Sequence, residues 1–469
     1  MVKKILIIFI TLLLVTGCSI NNNIINTDLS TEEQILLADG IETDNLEEVI
    51  DAINNGVDIN SFGKYNTVYF EENPLYASIG WYEKISFLLI QNGATINYKA
   101  KRFNVGANCL MKAAANQNEE LCKLLIEKGI NINETDKDGK NAIDYTIFDE
   151  DYGYKSYLQE KESLNLVKML YKEGVKILDK TKENIVDDDG HGNTQYEIIK
   201  WLIDIDEIKE TDLDKNQKIF YSVYLDDLEK IKRLNKSQLN IRNSENEDLL
   251  VVAAKYGKTD IVKYLLEKGF DPKRDVFSQD EDRGFCYNAI TYAATSKNIQ
   301  TLKTITNSCD LSDKELYRII CRSIALSTTD EYVEGISYLA DLMKNINEAD
   351  GNENDNILSE ACTSDKYNIV KELINKKNIN LNGNVLIDAV DSKNIKIVKL
   401  LIKHGINVNE KYDNEQESNF ALDHAIMNGD YDIAKLLKEN NAKSSDDMKQ
   451  YILDVYGKNS RMLECINNK

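Results

Sequence analysis

Phe87-Leu88-Leu89-Ile90-Gln91-Asn92-Gly93-Ala94-Thr95-Ile96-Asn97 decides the fold, because the chain repeats it. The phrase returns as Lys123-Leu124-Leu125-Ile126-Glu127-Lys128-Gly129-Ile130-Asn131-Ile132-Asn133. It returns again at Tyr264-Leu265-Leu266-Glu267-Lys268-Gly269 and at Leu400-Leu401-Ile402-Lys403-His404-Gly405-Ile406-Asn407-Val408-Asn409. Weaker copies run from Val49 to Asn60, Met169 to Val175, Leu373 to Asn382 and Leu436 to Ala442. Gly56, Gly93 and Gly129 stand 37 and 36 residues apart, a spacing that signals stacked repeats. The leucine pairs predict the buried stripe of a short amphipathic helix. The glycine predicts closure of that helix in the left-handed conformation, where a Cβ is costly, and Asn441 takes that place in the last copy.

A second helix precedes each copy. Its phrases are Asn73 to Ala77, Asn108 to Ala114, Asn141 to Asp144, Leu249 to Ala254, Asn288 to Ala294 and Ala421 to Ala425. The leading Asn is a good helix cap, and the paired alanines let neighbouring helices approach. Asp136-Lys137-Asp138-Gly139 supplies a turn between copies. Together these features resemble the ankyrin repeat. Asn73-Pro74-Leu75-Tyr76-Ala77 stands where that family has Thr-Pro-Leu-His-Ala, and Ile261 to Gly269 is similar to the family's second helix.

The resemblance implies an all-α fold, an ankyrin-repeat solenoid of stacked helix-turn-helix units with hairpin loops. About ten to twelve units fit between residues 32 and 443. The expected order is a signal peptide over 1–17, a tether over 18–30 and a repeat block over 31–178. Degenerate repeats or a linker follow over 179–244, then a second block over 245–443 and a cap over 444–469, where Met448, Tyr451, Ile452 and Val455 form an apolar stripe. At the other end, Ser30-Thr31-Glu32-Glu33 reads as a capping box and Asn45 opens a further helix. The Thr-Pro-Leu-His tetrad is nowhere intact, so its hydrogen bonds between turns must be made otherwise. The middle matches poorly, although Ile198 to Ile203 and Leu228 to Ile231 still read as repeat helices.

Charge narrows the partners. With 57 basic and 79 acidic residues the net charge is -22, which argues against nucleic acid and points to a protein partner with a basic surface. The N-terminus carries Lys3 and Lys4, then an apolar run from Ile5 to Val15. That run is shorter than the roughly 20 residues needed to span a bilayer and suits a signal peptide. Val15-Thr16-Gly17-Cys18 resembles the lipobox of bacterial lipoproteins, which implies lipidation at Cys18, anchoring to a membrane by more than one acyl chain, and a place in the cell envelope.

No phosphate loop, dinucleotide fingerprint or nucleophile elbow is present, and His191, His404 and His424 are scattered. No catalytic residue, cofactor or metal is expected. Asp187 to Asn193 fails the spacing of a calcium loop, and the window from Glu134 puts Tyr145 where the bidentate Glu belongs, so Asp136 to Gly139 reads as a turn. Cys109, Cys122 and Cys362 fall at buried repeat positions. Cys286, Cys309 and Cys321 lie close together, and a Cys286–Cys309 bridge is left open. The expected contact residues are Tyr65, Tyr69, Phe70, Tyr98, Arg102, Phe103, Tyr152 and Tyr154, since tyrosine among a few charges is typical of contact surfaces. The competing reading packs these rings onto the solenoid. The function expected is a protein-binding scaffold. The alternatives are a self-associating structural protein and an enzyme with its site in the irregular middle.

Overall fold

The computed structural model describes residues 31–61, 73–80, 82–101, 104–148, 160–186, 196–277, 286–327, 332–347, 356–411, 420–457 and 460–466. The chain divides into two compact units, one running to Ile147 and including Met169–Lys176, the other comprising Phe148–Lys168 and Ile177–Lys469. The described residues form 27 α-helices and one two-stranded antiparallel ribbon, an all-α repeat solenoid. None of these helices is long and apolar enough to cross a membrane.

The first unit contains α1 (Thr31–Glu42), α2 (Leu46–Asn54), α3 (Pro74–Ser78), α4 (Glu83–Gln91), α5 (Cys109–Ala115), α6 (Glu119–Glu127) and α7 (Ala142–Ile147). It also takes the C-terminal turn of α8 (Glu160–Lys172). α3 and α5 open on capping asparagines: Asn73 Oδ1 accepts from the Tyr76 N–H at 2.8 Å, and Asn108 Oδ1 from the Met111 N–H at 3.0 Å. Such a cap contributes about 1 kcal/mol. Each second helix closes as the sequence predicts. Gly93 and Gly129 have φ of +87° and +84°. Ile130 N–H then reaches back to Leu125 O at 3.1 Å, which satisfies a carbonyl that the helix end would otherwise leave open.

The second unit begins with α9 (Asp179–Val186), α10 (Tyr196–Asp204), α11 (Lys215–Tyr224), α12 (Leu228–Lys232) and α13 (Lys236–Leu239). Next come α14 (Leu249–Lys255), α15 (Thr259–Glu267), the ribbon of Val276–Phe277 with Cys286–Tyr287, α16 (Ala289–Thr295) and α17 (Ile299–Thr306). Then follow α18 (Asp313–Leu326), α19 (Val333–Leu342), α20 (Ile357–Thr363), α21 (Tyr367–Leu373), α22 (Gly383–Asp391) and α23 (Ile395–Lys403). The unit ends with α24 (Ala421–Met427), α25 (Tyr431–Glu439), α26 (Met448–Val455) and α27 (Leu463–Ile466).

From Lys215 onward the stacking is continuous. First helices pack on first helices in the line α11, α14, α16, α18, α20, α22, α24 and α26. Second helices pack in the line α12, α15, α17, α19, α21, α23, α25 and α27. The core between the lines is aliphatic, with Leu250, Ile290, Ile320, Leu358, Leu401 and Leu422 fully buried or nearly so. At the end of the stack Met448 and Ile452 are buried against it, whereas Val455, the last residue of α26, is 55% exposed.

At several boundaries one asparagine makes the hydrogen bonds that the missing tetrad would make. Asn60 Oδ1 accepts the Thr95 N–H at 2.7 Å, and Asn97 Oδ1 accepts the Asn131 N–H at 3.3 Å. Asn133 does both jobs of an amide, accepting from Lys176 N–H at 2.9 Å and donating to Gly174 O at 3.1 Å. In the second unit Asn347 accepts from Asn380 N–H at 2.8 Å and donates to Asn378 O at 2.7 Å. Asn409 accepts from Lys443 N–H at 2.7 Å and donates to Asn441 O at 3.1 Å. These are the asparagines that end the repeated phrase, so the residue that closes one unit ties it to the next.

Candidate protein-binding face

The first helices of the second unit present side chains from one register to one side of the stack. Three residues before the last residue of each helix stand Tyr221, Val252, Tyr292, Glu360, Asp388 and His424, with Arg322 four before the end of α18; the first three are buried and the other four half-buried. The face is therefore aromatic at its start, cationic near its middle and carboxylate-rich with a histidine towards its end.

The aromatic part is a cluster of four tyrosines. Tyr224 stacks with Tyr196 at 6.1 Å and with Tyr221 at 6.0 Å, and meets Tyr256 edge-on at 5.0 Å. Lys258 Nζ stands 5.4 Å above the Tyr224 ring. Tyr196 and Tyr221 are buried, whereas Tyr224 and Tyr256 are half-exposed. Burial pushes the Tyr221 hydroxyl up, and the Asp204 and Glu210 charges push the same way, so it stays a neutral donor. A rigid tyrosine pair with a lysine at its rim is the composition of a protein contact.

The middle is built around Lys255. Its side chain is only 5% exposed and lies 3.4 Å from Glu247, itself 1% exposed, and 3.5 Å from Glu245. Its ammonium also stands 5.5 Å from the Tyr292 ring. Beside it Arg274 Nε pairs with Asp248 at 2.9 Å, and Arg322 lies 3.5 Å from Asp275 at the foot of the ribbon. Tyr287 of the ribbon packs 6.0 Å from Tyr292, and burial raises its hydroxyl while Arg322 opposes. The buried ammonium is held by two carboxylates, which makes it part of the scaffold of this face rather than a free nucleophile.

Towards the end Ser359 donates to the Asp388 carboxylate. His424 Nδ1 lies 3.1 Å from Asp391 Oδ1, and Asn428 donates to the same oxygen at 2.9 Å. The bond to Asp391 raises His424, against an opposing effect of burial. Burial pushes Asp391 up, but the bonds from His424 and Asn428 outweigh it and hold the carboxyl low. This is a structural ion pair. Among the described residues no group of three or more His, Cys, Asp or Glu side chains could hold a metal ion.

Of the contact residues expected from the sequence, Tyr98 is described. It is half-buried, packs 5.8 Å from Tyr76 and has Lys101 Nζ 5.9 Å from its ring. Lys112 Nζ lies 4.5 Å over the Tyr76 ring and donates to Tyr76 O, so in the first unit these aromatics fasten one unit to the next. Cys18, Tyr65, Tyr69, Phe70, Arg102, Phe103, Tyr152 and Tyr154 lie outside the described residues. So do His191 and Asp187 to Asn193. Asp136 folds its own turn: its Oδ1 accepts from Asp138 and Lys140 N–H and its Oδ2 from the Tyr145 hydroxyl, leaving no calcium loop. Cys309 is a free thiol, so no bridge to Cys286 is formed. Burial pushes Cys109 and Cys122 up to about 12, which leaves them inert. Sequence reading missed Lys255, Tyr224 and Tyr256. Extending the first-helix alignment to its last turn would have found the two tyrosines, whereas Lys255, one residue beyond the phrase Leu249 to Ala254, reads as surface.

A depression of about 550 Å³ lies in the first unit between Glu83, Asn116, Glu119, Glu120 and Lys123. Its lining is polar and open, unlike the apolar clefts that take small molecules. Comparison with known proteins agrees with a binding scaffold. The family model for ankyrin repeats in three copies matches residues 37–136, 75–184, 191–315, 324–412 and 358–447. No curated protein matches the chain. Ankyrin repeats mediate protein–protein interactions and are typically not enzymes. Matched over most of its length, and stacked helix pair on helix pair, the chain belongs to the ankyrin-repeat family.

Proposed function

We propose that this chain is a lipid-anchored scaffold of a bacterial cell envelope that binds a protein across the first-helix face of its second unit. The observation that carries the binding face is the unbroken first-helix line from α11 to α26, with the exposed edges of Tyr224 and Tyr256 at its start. The basic n-region, the apolar run and Val15-Thr16-Gly17-Cys18 support the anchor. The net charge of -22 supports a partner with a basic surface, chiefly by steering encounter. The continuous stack through α11 and α12 gives an enzymatic site in the middle no support.

Two experiments test the two halves. Membrane fractionation of cells compares the chain with Cys18→Ala; the wild type sediments with membranes and the variant does not. If both are soluble, the anchor is wrong. Protease shaving of intact cells then decides which side of the membrane carries the repeats. For the face, crosslinking in cells compares the chain with Tyr224→Ala/Tyr256→Ala/Lys258→Ala. Loss of specific crosslinked proteins supports the face, and an unchanged set of them rejects it.

A further inference from the structure

Two surfaces of this chain carry opposite charge that their own neighbours do not neutralise. The first is α1 with α2, which pack on each other in the first unit. From Thr31 to Gly63 the sequence has nine acids and no lysine or arginine. Glu32, Glu42, Asp44, Glu47, Asp51 and Asp58 are exposed, and among the described residues none of them has an ion pair. Ile35 and Ile50 are exposed among them, at 37% and 38%.

The second surface lies on α21, α23 and α25 of the second unit. From Ser392 to Asn409 there are four lysines and His404 and no acid. On α23 Lys396, Lys399 and Lys403 share one helix face, exposed, while Ile397, Val398 and Leu401 on the other side are fully buried. α21 and α25 pack on either side of α23. They add the exposed Lys371 and Lys435 at the register of Lys399, on axes about 8–10 Å apart. Among the described residues none of these five lysines has an ion pair with an acid. The acids on the same helices are few: Glu372, which accepts from Ser337, and Asp432 and Glu439 on α25.

We propose that α1–α2 of one copy of this chain docks on the lysine face of α21, α23 and α25 of a second copy. The net charge of -22 opposes association of copies. At about 0.15 M salt, however, charges are screened beyond roughly 8 Å, so the bulk repulsion is muted while charges in contact still attract. The exposed isoleucines give the acidic surface an apolar component that screening does not touch. After the first contact one copy keeps its lysine face free and the other its α1–α2 surface, so addition continues past the dimer unless a ring closes. This contact leaves the first-helix face unused and does not rest on the function proposed above.

The test uses full chains with two different tags, co-expressed, extracted in mild detergent and captured by one tag. At about 0.15 M salt the second tag is recovered; at about 1 M, where screening sets in at roughly 3 Å, recovery falls about tenfold. K396E/K399E/K403E and E42K/E47K/D51K each lose recovery when paired with themselves, and mixing the two variants restores it. All six positions are exposed, so melting midpoints stay close to wild type. The neutralised K396Q/K399Q/K403Q serves if a reversal impairs folding, and it gives an intermediate loss. No recovery of the wild type at about 0.15 M overturns the proposal. So does recovery that is indifferent to salt, or unchanged in both reversed variants.

Discussion

In the repeat of α5 and α6, Asn108 caps the first helix, Gly129 closes the second at φ +84° and Asn133 bonds across the next boundary. In the repeat of α18 and α19 the capping asparagine and the closing glycine are absent, and only the boundary asparagine, Asn347, remains. Ser312 caps α18 through a reciprocal bond with Glu315, whose carboxyl is held down to about 2 by Lys273 and by the Ser312 backbone and hydroxyl. α19 ends in extended backbone at Met343 with no left-handed residue. Asp313, at the start of α18, takes over the boundary by accepting Lys344 N–H at 2.9 Å and Asn345 N–H at 2.7 Å. Each repeat nevertheless packs on its neighbours within its own unit. What the fold requires is that helix ends be satisfied and that adjacent helices approach closely, and more than one set of residues can supply both.

The close approach shows the difference most sharply. A Cβ on Gly335 of α19 would lie 2.1 Å from Ala294 O of α16. A Cβ on Gly129 would meet nothing within 4 Å. The same substitution therefore acts by two mechanisms. Gly335→Ala is expected to destabilise by about 2–3 kcal/mol through overpacking, although helix propensity alone favours it by about 1 kcal/mol. A stabilised Gly335→Ala in urea unfolding would break the comparison. Gly129→Ala is expected to cost about 1 kcal/mol, all of it from the left-handed backbone, and Gly129→Asn clearly less. Equal costs for Ala and Asn at position 129 would show that something other than backbone conformation holds that turn.

The boundary bonds are smaller. Asn133→Ala removes one acceptor and one donor at an exposed site, where water replaces them, and should cost about 0.5–1 kcal/mol. Asp313→Ala removes two accepted N–H bonds and a carboxylate in the first turn of a 14-residue helix, so its cost should be at the top of that range. Because repeats are coupled mainly to their neighbours, both should lower the cooperativity of unfolding as well as its midpoint. A midpoint shift with an unchanged slope would argue against an interface role.

These contrasts mark what could be read from the chain. Leucine pairs, capping asparagines and closing glycines are local signals, so α5, α6, α14 to α16 and α23 were legible. α18 and α19 were not, because they carry neither the capping asparagine nor the closing glycine, and the cue they do carry, Ser312 to Glu315, opens a helix of any fold. Lys255 was illegible for another reason: a lysine ending a short helix reads as surface. Its burial depends on Glu245 and Glu247 from the preceding turn and on Tyr292 from the next repeat. Tyr98, expected among the contact residues, is half-buried and packs on Tyr76. Aromatic content does not distinguish a ring that binds a partner from one that joins two repeats.

The smallest effect tests the carboxylate-rich end of the first-helix face. His424 is raised above its ordinary value of about 6.5 by Asp391, so its stabilising charge is fully present below that pH. The contribution is lost as pH climbs through the raised folded value. Asp391 is lowered below about 3.8, so its contribution is present above that pH and lost as pH falls through the depressed folded value. The pair therefore supports α22 against α24 between these limits and releases them on the alkaline side first. Stability of the wild type should decline slightly from about pH 6.5 upward. In Asp391→Asn that decline should vanish, and in His424→Gln the acid side should flatten too. A decline of the same size in Asp391→Asn would assign it to other groups. The effect should stay below that of Asn133→Ala, since half of the Asp391 side chain is in water and its field is screened. That order, close approach first, backbone next, boundary bonds third and surface charge last, is what a stack held by packing more than by its polar residues should show.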